Sequence, residues 1–478
     1  MSSSYAYIKC KPIFLDKVTG KYNLKNSQNY LTFANRHHNY SEYHLLVYLM
    51  MNGDVFMKKP FLEGLMHTKQ LINDIVFLCE NRMKATYFTR ATHCKMDFQD
   101  LILFELNFVK KTLQLELDSF FETIKGVENG ITKQGYSEAR QKLSPTAFIK
   151  MADNIISWYY GDDDFKTFNG YRLSAIDGSI LELNNSERLR NAFGYAEGKT
   201  VKLARAKASC IYDLENDMII TSKITTYTTG EREIAIELIE KLKQMGLKND
   251  LILFDRGYPS RKFIAYLESS GVNYLMRVKN QSMKEFNEAM EPDQIVELKV
   301  DGKTFKVRVL RFMLDSEVEE VLVTNLLDVS LGIQDFKALY FRRWGLEVKF
   351  DELKNRLQLQ NFTGDTVIAV EQDFYASIYL SNMVALAKNE ANEKIAENNE
   401  DKTLKYEYKV NTNILIGKMK DSLVLMLLED NSEKRNAMFH RIMQEITKNM
   451  VPIRPGRSKI RKMGLKAHKH PMNQKRCL

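Results

Sequence analysis

The sequence predicts a mixed α/β fold with helical regions at both ends of the chain. From about residue 61 to 160, apolar residues recur with a helical period, as in "LILFELNFVKKTLQLELDSFFETI". After Gly170, short apolar runs alternate with amphipathic helical segments, which is typical of a mixed sheet flanked by helices. The chain has 478 residues and a hydrophobic fraction of 44%, so it is long enough for several compact units.

The net charge of +9 is concentrated at the end of the chain. The predicted basic tail, residues 451–478, contains nine lysine and arginine residues and no acid. Clustered cations of this kind suit a polyanion such as nucleic acid, although a solvated tail without a partner has the same composition.

We predict no role for residues 1–60. The start of the chain has no apolar signal segment and no run long enough to span a membrane, and the scattered cysteines suggest a reduced, cytoplasmic protein.

Residues 61–165 are predicted to form a helical DNA-binding region. Within it, the segment "GITKQGYSEARQKLS" places Thr132 as the cap of a short helix that carries Lys133, Arg140 and Lys142. Two short basic helices joined tightly resemble a helix-turn-helix reader of DNA. A plain helical bundle fits the same spacing, so both alternatives stay open.

Residues 166–390 are predicted to form the α/β domain. "YRLSAIDGS" indicates a short strand that ends in a turn, and "DLEND" lies between two further strands. A helix closed by Gly246, the buried strand "DLILFD", another helix and the strand "VNYLMRVK" follow. This order of elements resembles a ribonuclease H-like domain. Residues from about 281 to 330 predict a small β-rich insertion, and residues 391–450 a C-terminal helical region.

Two carboxylates lie where predicted strands end. Asp177 follows the strand in "AIDGS", and Asp255 ends the apolar strand "LILFD". A carboxylate at the end of a buried strand is costly to ionise unless a cation or a hydrogen-bond donor meets it. Each aspartate alone is more often a cap or a turn residue, so a third group is needed to indicate a site.

That third group lies in "YFRRWGLEVKFDELKNRL", residues 340–357, which predicts one helix. Because a helix turns about 100° per residue, Tyr340, Arg343, Glu347 and Lys354 fall within an arc of roughly 60°. Trp344 points away from that arc and is predicted to lie in the core. If Glu347 lies across the sheet edge, three carboxylates converge. Such a set suits hard divalent cations, and two Mg²⁺ ions about 4 Å apart can support phosphodiester chemistry.

The spacing of these four residues resembles the Y-x(2)-R-x(3)-E-x(6)-K signature of insertion sequence 4-type DDE transposases. "AIDGS", "LILFDRGY" and "ITKQGYSEARQKL" also resemble segments of that family, over roughly residues 125–385. The resemblance implies that Asp177, Asp255 and Glu347 form a catalytic triad binding two Mg²⁺ ions, with Mn²⁺ as a substitute. It also implies that Tyr340, Arg343 and Lys354 bind the transposon end, and we expect Arg256 and Arg277 to contact DNA too.

Such enzymes cleave double-stranded DNA at transposon ends and join the released 3′-OH to target DNA, usually as a homodimer that holds both ends. Some members form a hairpin with the help of an aromatic residue in the insertion. This insertion has no tryptophan, which leaves Phe286, Phe305 or Phe312 to take that position.

Three other interpretations remain at this stage. A ribonuclease H-like nuclease would keep the three carboxylates and would not join DNA. A non-catalytic DNA-binding descendant of a transposase would keep the sequence pattern without activity, and a structural α/β protein would have it by coincidence. The resemblance favours a cytoplasmic transposase that associates with the nucleoid when it is bound to DNA.

Overall fold

The structure is a computed structural model that describes residues 60–89, 95–107, 112–128, 130–162, 164–198, 201–279, 283–314 and 317–454. All of them belong to one compact unit, Lys58–Leu478. The N-terminal extension up to residue 59, and the basic tail from residue 455 onward, lie outside the described residues. No helix in the described part is long and apolar enough to cross a membrane.

The first described region is helical, as predicted. Thr132 caps its fifth helix by accepting a hydrogen bond from the amide of Gly135 at 3.2 Å, and this helix and the next pack against the rest of the domain. A short π-helix, Phe121–Lys125, extends the fourth helix. The six α-helices are α1 (Phe61–Ile72), α2 (Ile75–Asn81), α3 (Phe98–Glu105), α4 (Leu113–Phe120), α5 (Lys133–Arg140) and α6 (Thr146–Tyr159).

The helix-turn-helix interpretation counted Arg140 among the basic residues of the helix, but the structure buries this side chain. The Arg140 side chain is 2% exposed and pairs with Glu105 at 2.9 Å and Asp373 at 2.8 Å. Its Nε atom also donates to Gln372 at 2.8 Å. Arg140 therefore joins α5 to a later helix of the domain and is not accessible to DNA. The physical reason is a set of buried acids distant in sequence, which the local pattern does not reveal.

A mixed sheet follows, and the predicted α/β fold is confirmed. β1 pairs with β3 in antiparallel and with β5 in parallel orientation, β4 pairs with β3, and β6 pairs in parallel with β5. These directions agree with the ribonuclease H-like arrangement expected from the order of elements. The elements of this part are β1 (Arg172–Glu182), α7 (Glu187–Phe193), β2 (Tyr195–Glu197), β3 (Lys202–Asp213), β4 (Met218–Thr226), α8 (Glu231–Gln244), β5 (Asp250–Phe254), α9 (Arg261–Ser270) and β6 (Asn273–Val278).

The β-rich insertion does not form a separate unit. It contains α10 (Lys284–Glu288), β7 (Asp293–Val300), β8 (Lys303–Met313) and β9 (Glu319–Thr324). β9 pairs antiparallel with β6, so the insertion extends the main sheet to nine strands. The sequence pattern revealed the strands but not their partner, because the pairing depends on the exposed edge of β6.

The segment predicted as one helix over residues 340–357 is two helices. α11 (Ile333–Phe341) ends just before Arg342, and α12 (Trp344–Asn355) begins two residues later. Arg342 and Arg343 keep near-helical backbone angles, so the chain bends only slightly between the helices. Glu347 and Lys354 therefore lie on α12, whereas Tyr340 lies on α11 and Arg343 at the junction.

The C-terminal elements are α13 (Val367–Glu397), β10 (Tyr408–Val410), α14 (Thr412–Leu428), α15 (Ser432–Lys448) and β11 (Met450–Pro452). α13 is one continuous helix of 31 residues, and it runs across the domain boundary predicted at residue 390. Its Asn382 side chain bonds both the amide and the carbonyl of Ile219 in β4, at 2.8 and 2.9 Å. The helical parts and the sheet thus share this helix.

α12 is fixed against the turn between β3 and β4. A Cβ atom at Gly345 would lie 2.9 Å from a methyl group of Leu214, so the helix packs closely on this side chain at Gly345. The Lys349 side chain is 2% exposed and bonds Asp217 at 2.9 Å and Glu352 at 3.2 Å. Lys388 of α13 also pairs with Asp217. This buried network holds the helix that carries Glu347 against the sheet.

Candidate functional site

Asp177 and Asp255 lie side by side on neighbouring parallel strands. The last pair between β1 and β5 is Ile176 with Phe254, and each aspartate is the next residue along its chain. Neighbouring strands are about 4.8 Å apart, so the two carboxylates leave the sheet at the same place. The sequence placed Asp177 at the end of its strand, but β1 continues to Glu182 because residues 177–182 still pair with β3. It is β5, not β1, that ends here.

The surroundings of Asp177 favour retention of a proton. Its Oδ1 atom accepts a hydrogen bond from the amide of Gly178 at 2.8 Å, and Oδ2 accepts one from Nη1 of Arg343 at 3.3 Å. Burial raises the pKa of Asp177 to about 6; the negative charges of Asp255 and Glu231 add to the rise, and the two hydrogen bonds oppose it. Because burial disfavours the charged form of Asp177, a cation bound beside it would stabilise the carboxylate.

Arg343 connects two of the three predicted acids. Its guanidinium donates to Asp177 at 3.3 Å and to Oε1 of Glu347 at 2.9 Å, and its side chain is only 12% exposed. Burial works against the guanidinium, but Tyr340, Asp255, Asp177 and Glu347 together raise the pKa of Arg343. The position between Asp177 and Glu347 therefore already attracts a positive group, which in this arrangement is the arginine itself.

The donor set fits a hard divalent cation by type, since all three groups supply carboxylate oxygens. The three carboxylates are not arranged as a metal centre in this structure. Among the described residues, no three His, Cys, Asp or Glu side chains lie close enough together to hold an ion. Asp177 and Asp255 are adjacent in register, but Glu347 is held by Arg343. Glu347 would have to release that arginine before it shared an ion with the aspartates.

A fourth carboxylate stands at the same edge, and the sequence analysis missed it. Glu231 is the first residue of α8. A Cβ atom built on Gly257 would lie 3.3 Å from Oε2 of Glu231, and one built on Gly178 would lie 3.9 Å from Oε1. These glycines follow Asp255 and Asp177 closely in sequence. The only signal in the sequence was two small residues just after the two aspartates, which leave space for another side chain.

Tyr340 and Arg343 line a cavity of about 620 Å³ next to these acids. The hydroxyl of Tyr340 is buried there and has no hydrogen-bond partner within the described residues, and burial raises its pKa. Arg343 lies over the Tyr340 ring, with its Cζ atom 5.9 Å from the ring centre. The cavity lining consists of Arg277, Leu314, Glu320, Gln334, Lys337, Ala338, Tyr340, Phe341, Arg343 and Trp344.

Trp344 is not a core residue, contrary to the prediction from its position on the helix. It is 47% exposed, and its neighbour Phe341 is 78% exposed. Trp344 follows Tyr340 by four residues, which is about 40° around a helix, so it lies beside the face that contains Tyr340 and not opposite it. Of the three phenylalanines considered for hairpin formation, Phe286 is 1% exposed and belongs to the core, whereas Phe312 lies 5.8 Å below the ammonium of Lys337 at the cavity.

The other predicted DNA contacts occupy different surroundings. Lys354 reaches back to the sheet and donates to the carbonyl of Ile180 at 2.8 Å. Arg277 lines the cavity, where it pairs with Glu320 at 3.3 Å. Arg256, next to Asp255, is exposed. Arg343 contacts two of the predicted acids, Asp177 and Glu347, and the DNA-binding roles of all these cations stay predictions.

Residues 168–383 match the family model described as "Transposase DDE domain". This segment contains all three predicted acids, and the match supports a transposase function for this part of the chain. No curated protein sequence matches the chain. Among solved structures, the chain is similar to a piggyBac transposase in a synaptic complex with hairpin DNA. The two sequences are 12% identical, the comparison covers 79% of this chain and 85% of that chain, and the TM-score is 0.45.

Proposed function

We propose that this chain, whose residues 168–383 match the transposase DDE domain, is a DDE transposase that cleaves DNA at transposon ends and joins them to target DNA. The observation that carries the proposal is the meeting of Asp177 and Asp255 at one sheet edge, with Glu347 linked to Asp177 through Arg343. The insertion sequence 4-type assignment rests on the four-residue signature at Tyr340, Arg343, Glu347 and Lys354.

Asp177, Asp255 and Glu347 would hold the divalent cations, Mg²⁺ or Mn²⁺. Bound there, the ions would activate water for attack on a phosphodiester and stabilise the leaving oxygen. Arg343, released from the carboxylates, is placed to hold a phosphate as a bidentate donor. The cavity beside it has room for a segment of the DNA, and its buried Tyr340 hydroxyl offers an unused donor.

The DNA partners would be the transposon ends and the target, with two copies of the chain in the complex. As a transposase it would act in the cytoplasm, at the nucleoid. Arg256 and Arg277 would add contacts to the DNA backbone on either side of the acids.

One observation favours a second candidate, a DNA-binding descendant without activity. The guanidinium of Arg343 pairs with two of the three acids, and the described residues form no ready metal centre. A chain that had lost catalysis would be free to keep this ion pair permanently.

The test is an assay of the purified chain with Mg²⁺ and a labelled DNA fragment that carries the end of its own element. The wild type is compared with Glu347→Gln and with Asp351→Asn as the matched control. Asp351 lies one turn further along α12, where its Oδ1 atom accepts a hydrogen bond from the side-chain amide of Asn355 at 2.6 Å.

We expect the wild type and Asp351→Asn to cleave the end and join it to a second DNA, and Glu347→Gln to do neither. Cleavage without joining would indicate a nuclease. Binding without cleavage in Mg²⁺ or Mn²⁺ would identify the chain as the inactive descendant.

A further inference from the structure

Arg232, the second residue of α8, binds the turn that follows Asp255. Its Nε atom donates to the carbonyl of Tyr258 at 2.8 Å, and its Nη2 atom donates to the carbonyls of Gly257 at 2.9 Å and Pro259 at 3.4 Å. One guanidinium thus holds three consecutive carbonyl groups. Since α8 begins after Gly230 and the turn begins after β5, the contact joins segments about 25 residues apart in sequence.

The turn held by Arg232 is continuous with Asp255. The amide of Tyr258 donates to the carbonyl of Asp255 at 3.1 Å and closes the turn, while the Tyr258 ring is 1% exposed. Asp255 itself is partly exposed and lies just beyond the last paired residue of β5. Its backbone is therefore fixed on one side by the sheet and on the other by the turn that Arg232 holds.

The geometry points to Arg232 as a positioning residue for Asp255, and this inference rests on the proposed function. We infer that the guanidinium fixes the Gly257–Pro259 turn so that the Asp255 carboxylate stays beside Asp177. Without the three hydrogen bonds, the turn loses its link to α8 and Asp255 samples other orientations. A lysine keeps the charge but lacks the planar fork that reaches three carbonyls, so the inference concerns shape as well as charge.

Two variants and one control test it. Arg232→Gln removes the charge and the fork, and Arg232→Lys removes only the fork. The matched control is Arg261→Gln: Arg261 opens α9 just after the same turn, but it binds Glu285 at 2.6 Å and the carbonyl of Lys299 at 3.4 Å. Thermal unfolding first establishes that each variant is folded.

The first measurement is hydrogen exchange at the amide of Tyr258. We expect exchange to be at least about tenfold faster in both Arg232 variants, because the turn loses hydrogen bonds that hold it, and unchanged in Arg261→Gln. Unchanged exchange in both folded Arg232 variants overturns the inference. This readout needs neither metal nor DNA, so it decides whether Arg232 holds the turn even if the proposed function fails.

The second measurement is Mn²⁺ affinity, determined for the wild type, Arg232→Lys, Asp255→Asn and the double variant. If Arg232 acts through Asp255, Arg232→Lys weakens binding about tenfold alone and adds nothing in the Asp255→Asn background. Equal weakening in both backgrounds overturns a role through Asp255. A wild type that binds no Mn²⁺ counts against the metal part of the proposed function, and the exchange result then still decides the inference.

Discussion

The ammonium of Lys349 lies 2.9 Å from Oδ1 of Asp217, in the interior behind the helix that carries Glu347. Burial alone would raise the pKa of Asp217, but Lys349 and Lys388 hold it well below its usual range. Lys349 thus stabilises the contact between α12 and the turn between β3 and β4. The same helix carries Glu347, so this contact also fixes the backbone from which Glu347 extends.

Replacing Lys349 should reveal this contribution. We expect Lys349→Met to lower the free energy of unfolding by about 3 kcal/mol, because Asp217 and Glu352 stay buried with one cation fewer. This value is at the lower end of the range for breaking a buried ion pair, since Lys388 still pairs with Asp217. Urea unfolding followed by circular dichroism measures the change. The exposed Lys262 provides the control, and Lys262→Met should shift stability by less than about 0.5 kcal/mol. Equal effects of the two substitutions would contradict the role of the buried network.

The carboxyl group of Asp177 should titrate near pH 6 in the folded protein without metal. Because the negative charge of Glu231 contributes to this raised pKa, Glu231→Gln should lower the pKa of Asp177. Glu233 lies in the same helical turn, but its carboxylate faces Gly230, so Glu233→Gln should leave the titration unchanged. Carboxyl carbon NMR follows all three proteins, and an unmoved pKa in Glu231→Gln would show that this side chain does not face Asp177.

The raised pKa also predicts how stability depends on pH. The folded pKa of Asp177 is about 6 and the ordinary value is 3.8, so between these values the folded chain holds the proton that the unfolded chain releases. The contribution of this group to stability is therefore largest below about pH 4 and declines as the pH rises to about 6. Asp177→Asn cannot ionise and should be more stable than the wild type at neutral pH, by up to about 3 kcal/mol. Denaturant unfolding at several pH values measures this difference, which should disappear in acid.

Arg343 should compete with metal for the carboxylates. We expect Arg343→Gln to bind Mn²⁺ more tightly than the wild type, because Asp177 and Glu347 lose their internal cation. The same variant should bind transposon-end DNA more weakly if the guanidinium holds a phosphate. Arg342→Gln is the control, since Arg342 pairs with Glu215 instead. Isothermal titration with Mn²⁺ tests the first expectation, and weaker metal binding in Arg343→Gln would mean that the arginine organises the acids.

The helical region offers a clear separation between stability and DNA binding. Arg140→Met should destabilise the chain by about 3 kcal/mol or more, because Glu105 and Asp373 remain buried without their cation. Lys142 is only half-buried, and Lys142→Ala should instead weaken DNA binding and reduce its salt dependence by about one ion. Filter binding at several salt concentrations distinguishes the two effects. Reduced affinity in a folded Arg140→Met variant, with Lys142→Ala unaffected, would contradict this separation and indicate that Arg140 contributes to DNA binding.

Local patterns predicted much of the fold. Apolar runs and turn residues gave the strands around Asp177 and Asp255, and helical spacing placed Tyr340, Arg343 and Glu347 near one another. Contacts between segments far apart in sequence were not predictable in this way. The burial of Arg140, the pairing of β9 with β6 and the exposure of Trp344 all depend on partners that no short window of sequence contains.

The candidate site shows the same limit. The spacing within residues 340–357 indicated that Arg343 and Glu347 share a face, and the structure joins them at 2.9 Å. It did not indicate that Arg343 would also reach Asp177, or that Glu231 and Arg232 of α8 would stand beside the two aspartates. Those relationships arise from the sheet, which brings the N-terminus of α8 to the end of β5.

The single helix α13 has a mechanical consequence. Its 31 residues span about 46 Å. Near one end its Gln372 side chain binds the carbonyls of Arg140 and Leu143 in the helical region, and three turns later Asn382 binds β4 of the sheet. One continuous helix therefore connects the helical region to the sheet within the described residues. If the helical region binds DNA, as predicted from the sequence, the length of α13 between these two contacts sets the distance from that DNA to the acids.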